Sequence, residues 1–399
     1  VDGKGMPGMG CLRVIVTDIA AEVLHAFDLV EDSLVATLRC RLHGVDGVNF
    51  DVQLVCGSQV LEDADRLAEF QTDGQVEITL LKVLQPCAVT GGSEGNFLVW
   101  NLRSADSCRL LPCGEAVLCL SVDWTARIML SGHADSALRL WDLDRGVCLR
   151  AMKEDAVLKP RSVEFCWAAK LAISGCAAFA SCGSLPGSPP LTLALWDLAS
   201  GRHIQGFDTS ERCGVKCLSA DWPECRLLVC DMSNLEMICL ETGQLQWKAS
   251  TASPAQVMAV DWPAQKAITA GSGTIQVWDL KARSCFKDLV CRGPVQKLDM
   301  DWTSKRCMAT GVRSPDGLFA WTWDLQDGQC LQETHIGSGM LRCVAIDLSR
   351  QCCLCSVIAE SRDDFEVGDI LELYDTVTGH TILEQLSGHT DHVTCGDLS

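Results

Sequence analysis

Two short segments contain residues whose types and spacing could support chemistry. Residues 91–95 read Gly-Gly-Ser-Glu-Gly and match the G-x-S-x-G pattern of a serine nucleophile, which needs a strand-to-helix turn beside an oxyanion hole. Apolar runs flank this segment on both sides, which predicts a turn between two strands instead, so we expect no nucleophile at Ser93. The second segment contains His389 and His392, whose spacing would suit a pair of metal ligands.

Cysteine is the most abundant residue type here that could bind a metal ion or form disulfides. Of the 399 residues, 25 are Cys, and most alternate with Val, Leu, Ile and Ala inside apolar runs. In such runs Cys acts as a small buried hydrophobic residue, and a chain of this length can bury a core without disulfides. The one C-x-x-C spacing joins Cys352 to Cys355, with Cys353 between them, and no second pair follows at zinc-site spacing. We therefore expect structural cysteines, no metal ion and no cofactor, with a metal or redox role as the alternative.

Charge and motif content exclude several classes of function. The chain has 33 Lys and Arg against 52 Asp and Glu, a formal net charge of −19. It lacks the basic field that binds a phosphate backbone or an anionic membrane, so we expect neither nucleic acid nor membrane partners. No Walker A, H-E-x-x-H, EF-hand or dinucleotide-binding motif occurs, so we expect no enzyme and no small-molecule substrate. The absence of an N-x-S/T sequon favours a reducing, cytoplasmic or nuclear location.

After residue 85 one phrase recurs: an apolar strand that ends in Trp-Asp-Leu, then a turn that contains Gly. The copies, some of them weaker and two of them without Trp, begin at Trp100, Trp141, Trp196, Ile238, Trp278, Trp323 and Tyr374. Aligned positions are 40 to 55 residues apart. A period of about 40–45 residues is typical of a β-propeller with four strands per blade.

A second phrase, Asp-Trp after an apolar strand, falls between the copies of the first. It occurs at residues 123–124, 221–222, 261–262 and 301–302, each time shortly before another apolar run. This order of strands and turns resembles the WD-repeat family, and the resemblance implies a seven-bladed propeller over residues 85–399. Because the Asp-Trp pair recurs once per blade, we interpret it as a structural turn and not as catalytic carboxylates.

The two ends of the repeat region complement each other. The first blade has strands at residues 87–90 and 97–100 but none before them, whereas residues 392–399 resemble a first strand with nothing after it. We expect these ends to pair and close the propeller, which removes an exposed edge strand; the alternative is an eighth blade that begins at residue 386. The WD resemblance also implies a structural hydrogen-bond network, in place of a metal site, formed here by Thr90, Glu94, Trp100 and His389.

The first 84 residues follow a different pattern, with a loose tail over residues 1–11 and a small domain over residues 12–84. Alternating apolar residues predict strands at 12–16, 23–30, 51–56 and 76–81, and apolar residues at helical spacing predict a helix over residues 34–42. This order is that of a β-grasp fold, and residues 54–63 with Leu67 resemble ubiquitin. The whole chain is thus expected to be mainly β.

The resemblance to ubiquitin extends to its fold and to its apolar recognition patch. Conjugation is excluded because the last strand continues into the propeller without a free Gly-Gly tail, and residues 1–84 contain only Lys4 and Lys82. Val55 and Leu81 fall where the family places its patch. The alternative is that they are ordinary strand residues partly covered by the propeller.

Three repeats contain insertions between their second and third strands. They lie at residues 176–190, 312–317 and 359–368. Connections of this type emerge on one face of a propeller, so we predict a docking surface there, while free tolerance of insertions in surface loops is the alternative. Its candidate binding residues are Pro186, Arg313, Asp316, Arg362, Asp363, Asp364 and Phe365.

These features favour a non-catalytic scaffold or adaptor that binds other proteins within a multiprotein complex. The acidic charge favours a partner with a basic or mixed surface. Two alternatives remain: an adaptor of the ubiquitin–proteasome pathway that docks through its ubiquitin-like domain, and a structural subunit of a large assembly.

Overall fold

The computed structural model describes most of the chain. The described residues are 11–17, 23–30, 33–35, 38, 51–56, 59–62, 64–71, 75–83, 87–103, 107–153, 159–176, 192–209, 214–231, 233–313, 316–337, 341–357 and 369–399. Almost all regular structure among them is β-strand. The chain divides into two compact units, Val1–Gln85 and Pro86–Ser399.

The first unit contains one five-stranded mixed sheet. Its strands are β1 (Cys11–Thr17), β2 (Val23–Val30), β3 (Asp51–Cys56), β4 (Gln59–Val60) and β5 (Gln75–Val83), and a 3-10 helix spans Leu67–Phe70. The strand order is β2-β1-β5-β3-β4, in which β1 is antiparallel to β2 and parallel to β5. The predicted strands are therefore present, and β1 begins one residue earlier than expected, at Cys11, which had been assigned to the tail.

One face of this sheet carries the core of the first unit. Val14, Val16 and Ile78 alternate with less buried neighbours and have no exposed surface. Val35 and Leu38 are helical and fully buried in the same cluster. The predicted helix over residues 34–42 otherwise lies outside the described residues, and its expected first residue, Leu34, forms an isolated bridge with Arg66 instead.

The second unit contains antiparallel sheets of four or six strands. The strands in the first part are β6 (Cys87–Gly92), β7 (Asn96–Asn101), β8 (Ser107–Pro112), β9 (Val117–Asp123), β10 (Ile128–His133), β11 (Leu138–Asp142), β12 (Val147–Met152), β13 (Pro160–Cys166), β14 (Leu171–Cys176), β15 (Leu193–Asp197), β16 (Arg202–Phe207), β17 (Cys217–Asp221), β18 (Arg226–Cys230), β19 (Asn234–Cys239) and β20 (Leu245–Ser250). The remaining strands are β21 (Ala255–Asp261), β22 (Lys266–Asp279), β23 (Ser284–Asp301), β24 (Arg306–Arg313), β25 (Gly317–Asp324), β26 (Cys330–Gly337), β27 (Leu341–Asp347), β28 (Cys352–Val357), β29 (Ile370–Asp375), β30 (Thr381–Leu386) and β31 (Val393–Leu398).

Both recurring sequence phrases end a strand. The Trp-Asp phrase ends β11, β15, β22, β25 and β29, and the Asp-Trp phrase begins at the last residue of β9, β17, β21 and β23. Asp123 and Asp261 each accept a hydrogen bond from the backbone N–H three residues later, at 2.9 Å. The predicted structural turn is therefore present at these positions, and the Asp side chain closes it.

Two strands are longer than the sequence predicts. β22 pairs with β21 through residues 266–271 and with β23 through residues 272–279, and β23 continues from one repeat into the next to pair with β24. The result is a six-stranded sheet where the sequence predicts two four-stranded blades. Gly273, at φ +96°, allows the chain to turn inside β22, and a Cβ at Gly271 would lie only 1.8 Å from the Pro254 carbonyl oxygen.

The ends of the second unit pair as predicted. β31 is antiparallel to β6, with Gly396 opposite Thr90 and Leu398 opposite Ala88. Ser399 N donates to the Cys87 carbonyl oxygen at 2.9 Å, and Cys87 N donates to Ser399 Oγ at 2.6 Å. β31 is thus the first strand of the sheet β31-β6-β7-β8.

In the second unit, contacts between the first strands of successive repeats form a cyclic series. β31 contacts β9, and the series continues through β13, β17, β21, β23 and β27 back to β31. Val117 and Val393, on neighbouring strands of this series, have no exposed surface.

Every cysteine whose side chain is described is a free thiol. In the described part of the chain, no helix has the length and apolar character needed to span a membrane.

Candidate functional site

The connection between β24 and β25 carries a charged cluster on predicted docking residues. Arg313, the last residue of β24, places Nε 2.9 Å from Asp316 Oδ2 and Nη1 2.6 Å from Glu333 Oε1 on β26. Its guanidinium carbon lies 4.0 Å from the centre of the Phe319 ring. The hydrogen bond to Asp316 raises the pKa of Arg313, so this group is cationic at physiological pH. The cluster fixes the position of one cation and two carboxylates at the end of the sheet.

A buried carboxylate joins the connection before β29 to the connection before β31. Asp369 is 4% exposed and accepts from Ser356 Oγ at 2.6 Å and from Val393 N at 2.9 Å. His392 Nδ1 lies 3.1 Å from the other Asp369 oxygen, and this hydrogen bond raises the pKa of His392. Asp369, the first described residue after the insertion at 359–368, therefore lies beside the segment that leads into β31.

The other predicted docking residues lie outside the described residues. These are Pro186, Arg362, Asp363, Asp364 and Phe365. The described ends of their insertions are paired, since Cys176 N donates to the Thr192 carbonyl oxygen at 2.8 Å and Val357 pairs with Ile370. These two insertions therefore connect the second and third strands of their four-stranded sheets, whereas the connection at Arg313 joins the fourth and fifth strands of the six-stranded sheet.

The four residues of the predicted closing network contact one another. Trp100 Nε1 donates to Thr90 Oγ1 at 2.8 Å, and Thr90 Oγ1 lies 2.8 Å from His389 Nε2. His389 Nδ1 in turn contacts Glu94 Oε1. Because an ionised Glu94 carboxylate can only accept, Nδ1 of His389 donates to it, and the Thr90 hydroxyl can accept from Trp100 Nε1 while it donates to Nε2. The network joins β6, β7 and the segment before β31.

Related pairs recur in other sheets of the second unit. Trp141 Nε1 donates to Ser131 Oγ at 2.9 Å, and Trp196 and Trp278 donate to Ser174 and Thr269 at 3.0 and 2.9 Å. Burial lowers the pKa of His133, which contacts Ser131 at 2.8 Å, to about 4. Repetition from sheet to sheet indicates a role in folding and not a ligand site.

The two segments first considered for chemistry both have structural contacts. Ser93 lies in the turn between β6 and β7, and its hydroxyl donates to the His392 carbonyl oxygen at 3.1 Å. His389 is buried beside Glu94, whereas the His392 ring contacts Asp369. The two histidines therefore bind different carboxylates instead of facing one site.

Carboxylates on the first strands bridge neighbouring sheets, which the sequence analysis did not anticipate. Glu164 on β13 accepts from Ala220 N on β17 at 2.9 Å, and Asp299 on β23 accepts from Leu348 N at 2.8 Å. Burial raises the pKa of Glu164 to about 7 and also raises the pKa of Asp299. No spacing signal identified them, because neither residue belongs to one of the recurring motifs.

In the first unit, Val55 and Leu81 lie on the paired strands β3 and β5. Val55 pairs with Thr79 and Gln53 pairs with Leu81, across β3 and β5. Val55 is half-buried and follows the fully buried Leu54, so it lies on the face opposite the core. The side chain of Leu81 lies outside the described residues.

No known family model matches this chain.

Proposed function

We propose that the chain is a non-catalytic scaffold for other proteins, built from a β-grasp domain and a seven-bladed WD-type propeller. The cyclic series of first strands, with β31 added to β6, is the observation that carries the propeller assignment. Seven copies of the Trp-Asp phrase in the sequence agree with seven blades, two of which share the long strands β22 and β23. A propeller of this kind is a rigid frame whose connections vary, which suits protein binding.

The β-grasp assignment is supported by the sheet of the first unit. Its two central strands, β1 and β5, are parallel, and each is flanked by an antiparallel neighbour. Helical residues Val35 and Leu38 belong to the core formed on one face of this sheet. A mixed sheet of this order with a helix in its core is the arrangement of the ubiquitin-like fold that the sequence resembles.

The docking surface that we propose lies at the connections between second and third strands. Arg313, Asp316 and Glu333 present fixed charges there, and Asp369 joins a second such connection to the closing segment. With a net charge of −19, the chain would attract a partner with a basic or mixed-charge surface. Fixed, paired charges also give specificity, because a wrong partner leaves them unmatched.

The test compares partners recovered with the full chain and with two charge-reversal variants. Arg313→Glu alters the proposed surface, whereas Arg145→Glu reverses an exposed arginine in the turn between β11 and β12, a connection between third and fourth strands. We expect quantitative mass spectrometry to show that Arg313→Glu loses specific partners that Arg145→Glu retains. Identical partner sets for both variants would contradict the proposed surface.

A second candidate function is supported by the position of Val55 on the face opposite the core of the first unit. In this alternative, the chain is an adaptor that docks to ubiquitin-binding receptors through that face. Val55→Asp is expected to abolish binding of the full chain to such receptors, measured by surface plasmon resonance. Glu69→Lys, at an exposed position of the 3-10 helix, serves as the control. Recovery of the chain at one fixed stoichiometry with the same subunits would favour a structural subunit instead.

A further inference from the structure

Three thiols converge in the interior of the second unit. Cys343 lies on β27, and Cys353 and Cys355 lie on β28. Their Sγ atoms all lie within 4.8 Å of one another, and those of Cys353 and Cys355 are 3.7 Å apart. Cys343 pairs with Cys355 across the two strands, and Cys353 projects from the same face of β28 as Cys355.

These three residues differ from the C-x-x-C pair seen in the sequence. Cys352 packs in a cluster with Leu354 and Leu371, whereas Cys353 and Cys355 pack in another cluster with Cys343. In a strand, residues three apart point to opposite faces, so Cys352 and Cys355 cannot bind one ion together. The convergent set is instead a C-x-C pair on one strand and a single cysteine on the next.

The surroundings of the three thiols are largely apolar. Leu318, Ala320 and Ile336 belong to the same cluster, and Cys343, Cys353 and Cys355 are at most 2% exposed. Such packing alone would also suit cysteines that act as small hydrophobic residues.

One observation is left unexplained by packing. The hydroxyl of Thr310 on β24 is fully buried beside Cys343 and interacts with the Cys343 thiol without forming a hydrogen bond of normal geometry. A thiol is only a weak hydrogen-bond partner, so this contact compensates poorly for the burial of a hydroxyl.

We infer that Cys343, Cys353 and Cys355 bind one Zn²⁺ ion as thiolates, with the Thr310 hydroxyl at the fourth position. A Zn–S distance of about 2.3 Å in a tetrahedral site requires sulfur atoms about 3.8 Å apart. The Cys353 and Cys355 sulfurs are 3.7 Å apart, and the pairs with Cys343 lie within 4.8 Å. Binding releases three protons from three thiols and involves no change of oxidation state. Three thiolates around Zn²⁺ leave one net negative charge, whereas three around Cu⁺ would leave two. Burying two net charges in an apolar interior requires more free energy, which favours zinc.

This site would be structural and would join two neighbouring groups of strands. Cys343, Cys353 and Cys355 belong to the sheet β27-β28-β29-β30, and Thr310 belongs to the preceding sheet. A fourfold-coordinated ion without an open position has no place for a substrate. The inference departs from the expectation, drawn from sequence spacing, that the chain binds no metal.

The experiment measures the metal content of the full chain, produced with zinc in the medium and purified without a polyhistidine tag. Plasma mass spectrometry is expected to find one zinc ion per chain. Cys343→Ser and Cys355→Ser should each weaken zinc binding by roughly tenfold or more, because they remove a ligand. Cys352→Ser, on the other face of β28, is the matched control and should retain the ion. Substoichiometric zinc, copper in its place, or equal loss in the control would overturn the inference.

A second measurement does not depend on how well the cysteine variants fold. Cobalt is exchanged into the wild-type chain, and its absorption is recorded. We expect thiolate-to-cobalt charge-transfer bands in the near ultraviolet and intense visible bands typical of tetrahedral geometry. Thr310→Val should keep the charge-transfer bands and shift the visible bands. Absence of charge transfer in the wild type would overturn the site, and an unchanged visible spectrum in Thr310→Val would remove the hydroxyl from it.

Discussion

At the scale of single residues, the Glu164 carboxylate links β13 to β17. It loses hydration by water when the chain folds. The residue is half-buried, and its carboxylate, the enclosed part, accepts from Ala220 N. Burial raises its pKa from 4.5 to about 7, so the folded chain favours the protonated form. A raised pKa in the folded state means that the stability linked to this group is greatest below pH 4.5 and is lost as the pH rises through 7.

Replacing Glu164 by Gln removes this titration and keeps an oxygen acceptor for Ala220 N. We expect the free energy of unfolding of the wild type to fall from pH 5 to pH 8 by about 2 kcal/mol more than that of Glu164→Gln, a value reduced for partial exposure. Urea denaturation at both pH values measures this difference. Glu115→Gln, at an exposed position, should follow the wild type. Parallel pH dependence of Glu164→Gln and the wild type would exclude the buried-charge explanation.

The three-cysteine cluster could not be predicted from the sequence, because it depends on the register between two strands. The pairing of β27 with β28 contains a bulge between Cys343 and Ala345, and this bulge places Cys343 opposite Cys355. Without the bulge, Val344 would occupy that position. A one-residue bulge cannot be recognised in an alternating apolar sequence. The register that brings the three cysteines together is therefore not predictable from the sequence.

At the scale of elements, recurring turns made most strand ends predictable. An Asp side chain that accepts from nearby backbone N–H groups ends a strand by a local interaction, as Asp142 does with Asp144 N at 3.0 Å. The continuous strands β22 and β23 were missed because the glycines at 271 and 273 indicate a loop by composition. In the structure Gly271 lies too close to the Pro254 carbonyl oxygen for a side chain, and Gly273 supplies the positive φ at which β22 turns. Local sequence signals therefore predict the ends of strands better than they predict which neighbouring strands form one continuous strand.

The closing network gives a prediction about the contact between β6, β7 and the segment before β31. Thr90→Val keeps the shape of the side chain but leaves Trp100 Nε1 and His389 Nε2 without partners in a buried site. We expect a loss of about 2 kcal/mol in unfolding free energy, because buried polar groups left unpaired are costly. Denaturation followed by tryptophan fluorescence measures it.

Two controls accompany this prediction. Thr90→Ser retains the hydroxyl and should lose much less stability than Thr90→Val, because the hydrogen bonds persist. Thr125→Val changes an exposed threonine and should leave stability unchanged. Equal loss in Thr90→Ser and Thr90→Val would assign the effect to packing and not to the network.

At the scale of the whole molecule, the second unit depends on its last residues. β31 contacts both β9 and β27 and pairs with β6, so its removal would break the series of first strands at one place. Val393 and Cys395 are buried there, and Thr394 Oγ1 donates to the Val117 carbonyl oxygen at 2.7 Å. Two neighbouring strands would then expose apolar faces, and β6 would become an unpaired edge.

Deletion of residues 393–399 therefore tests the closed arrangement. We expect a loss of several kcal/mol from lost apolar burial, which corresponds to a melting temperature lower by about 10 °C in calorimetry. Val393→Asp should give a partial loss, because it buries a charge on β31, whereas Leu110→Asp on the outer strand β8, at a 55% exposed position, should have little effect. If the truncated chain melted like the full chain, β31 would not stabilise the second unit, and the closed propeller would have to be abandoned.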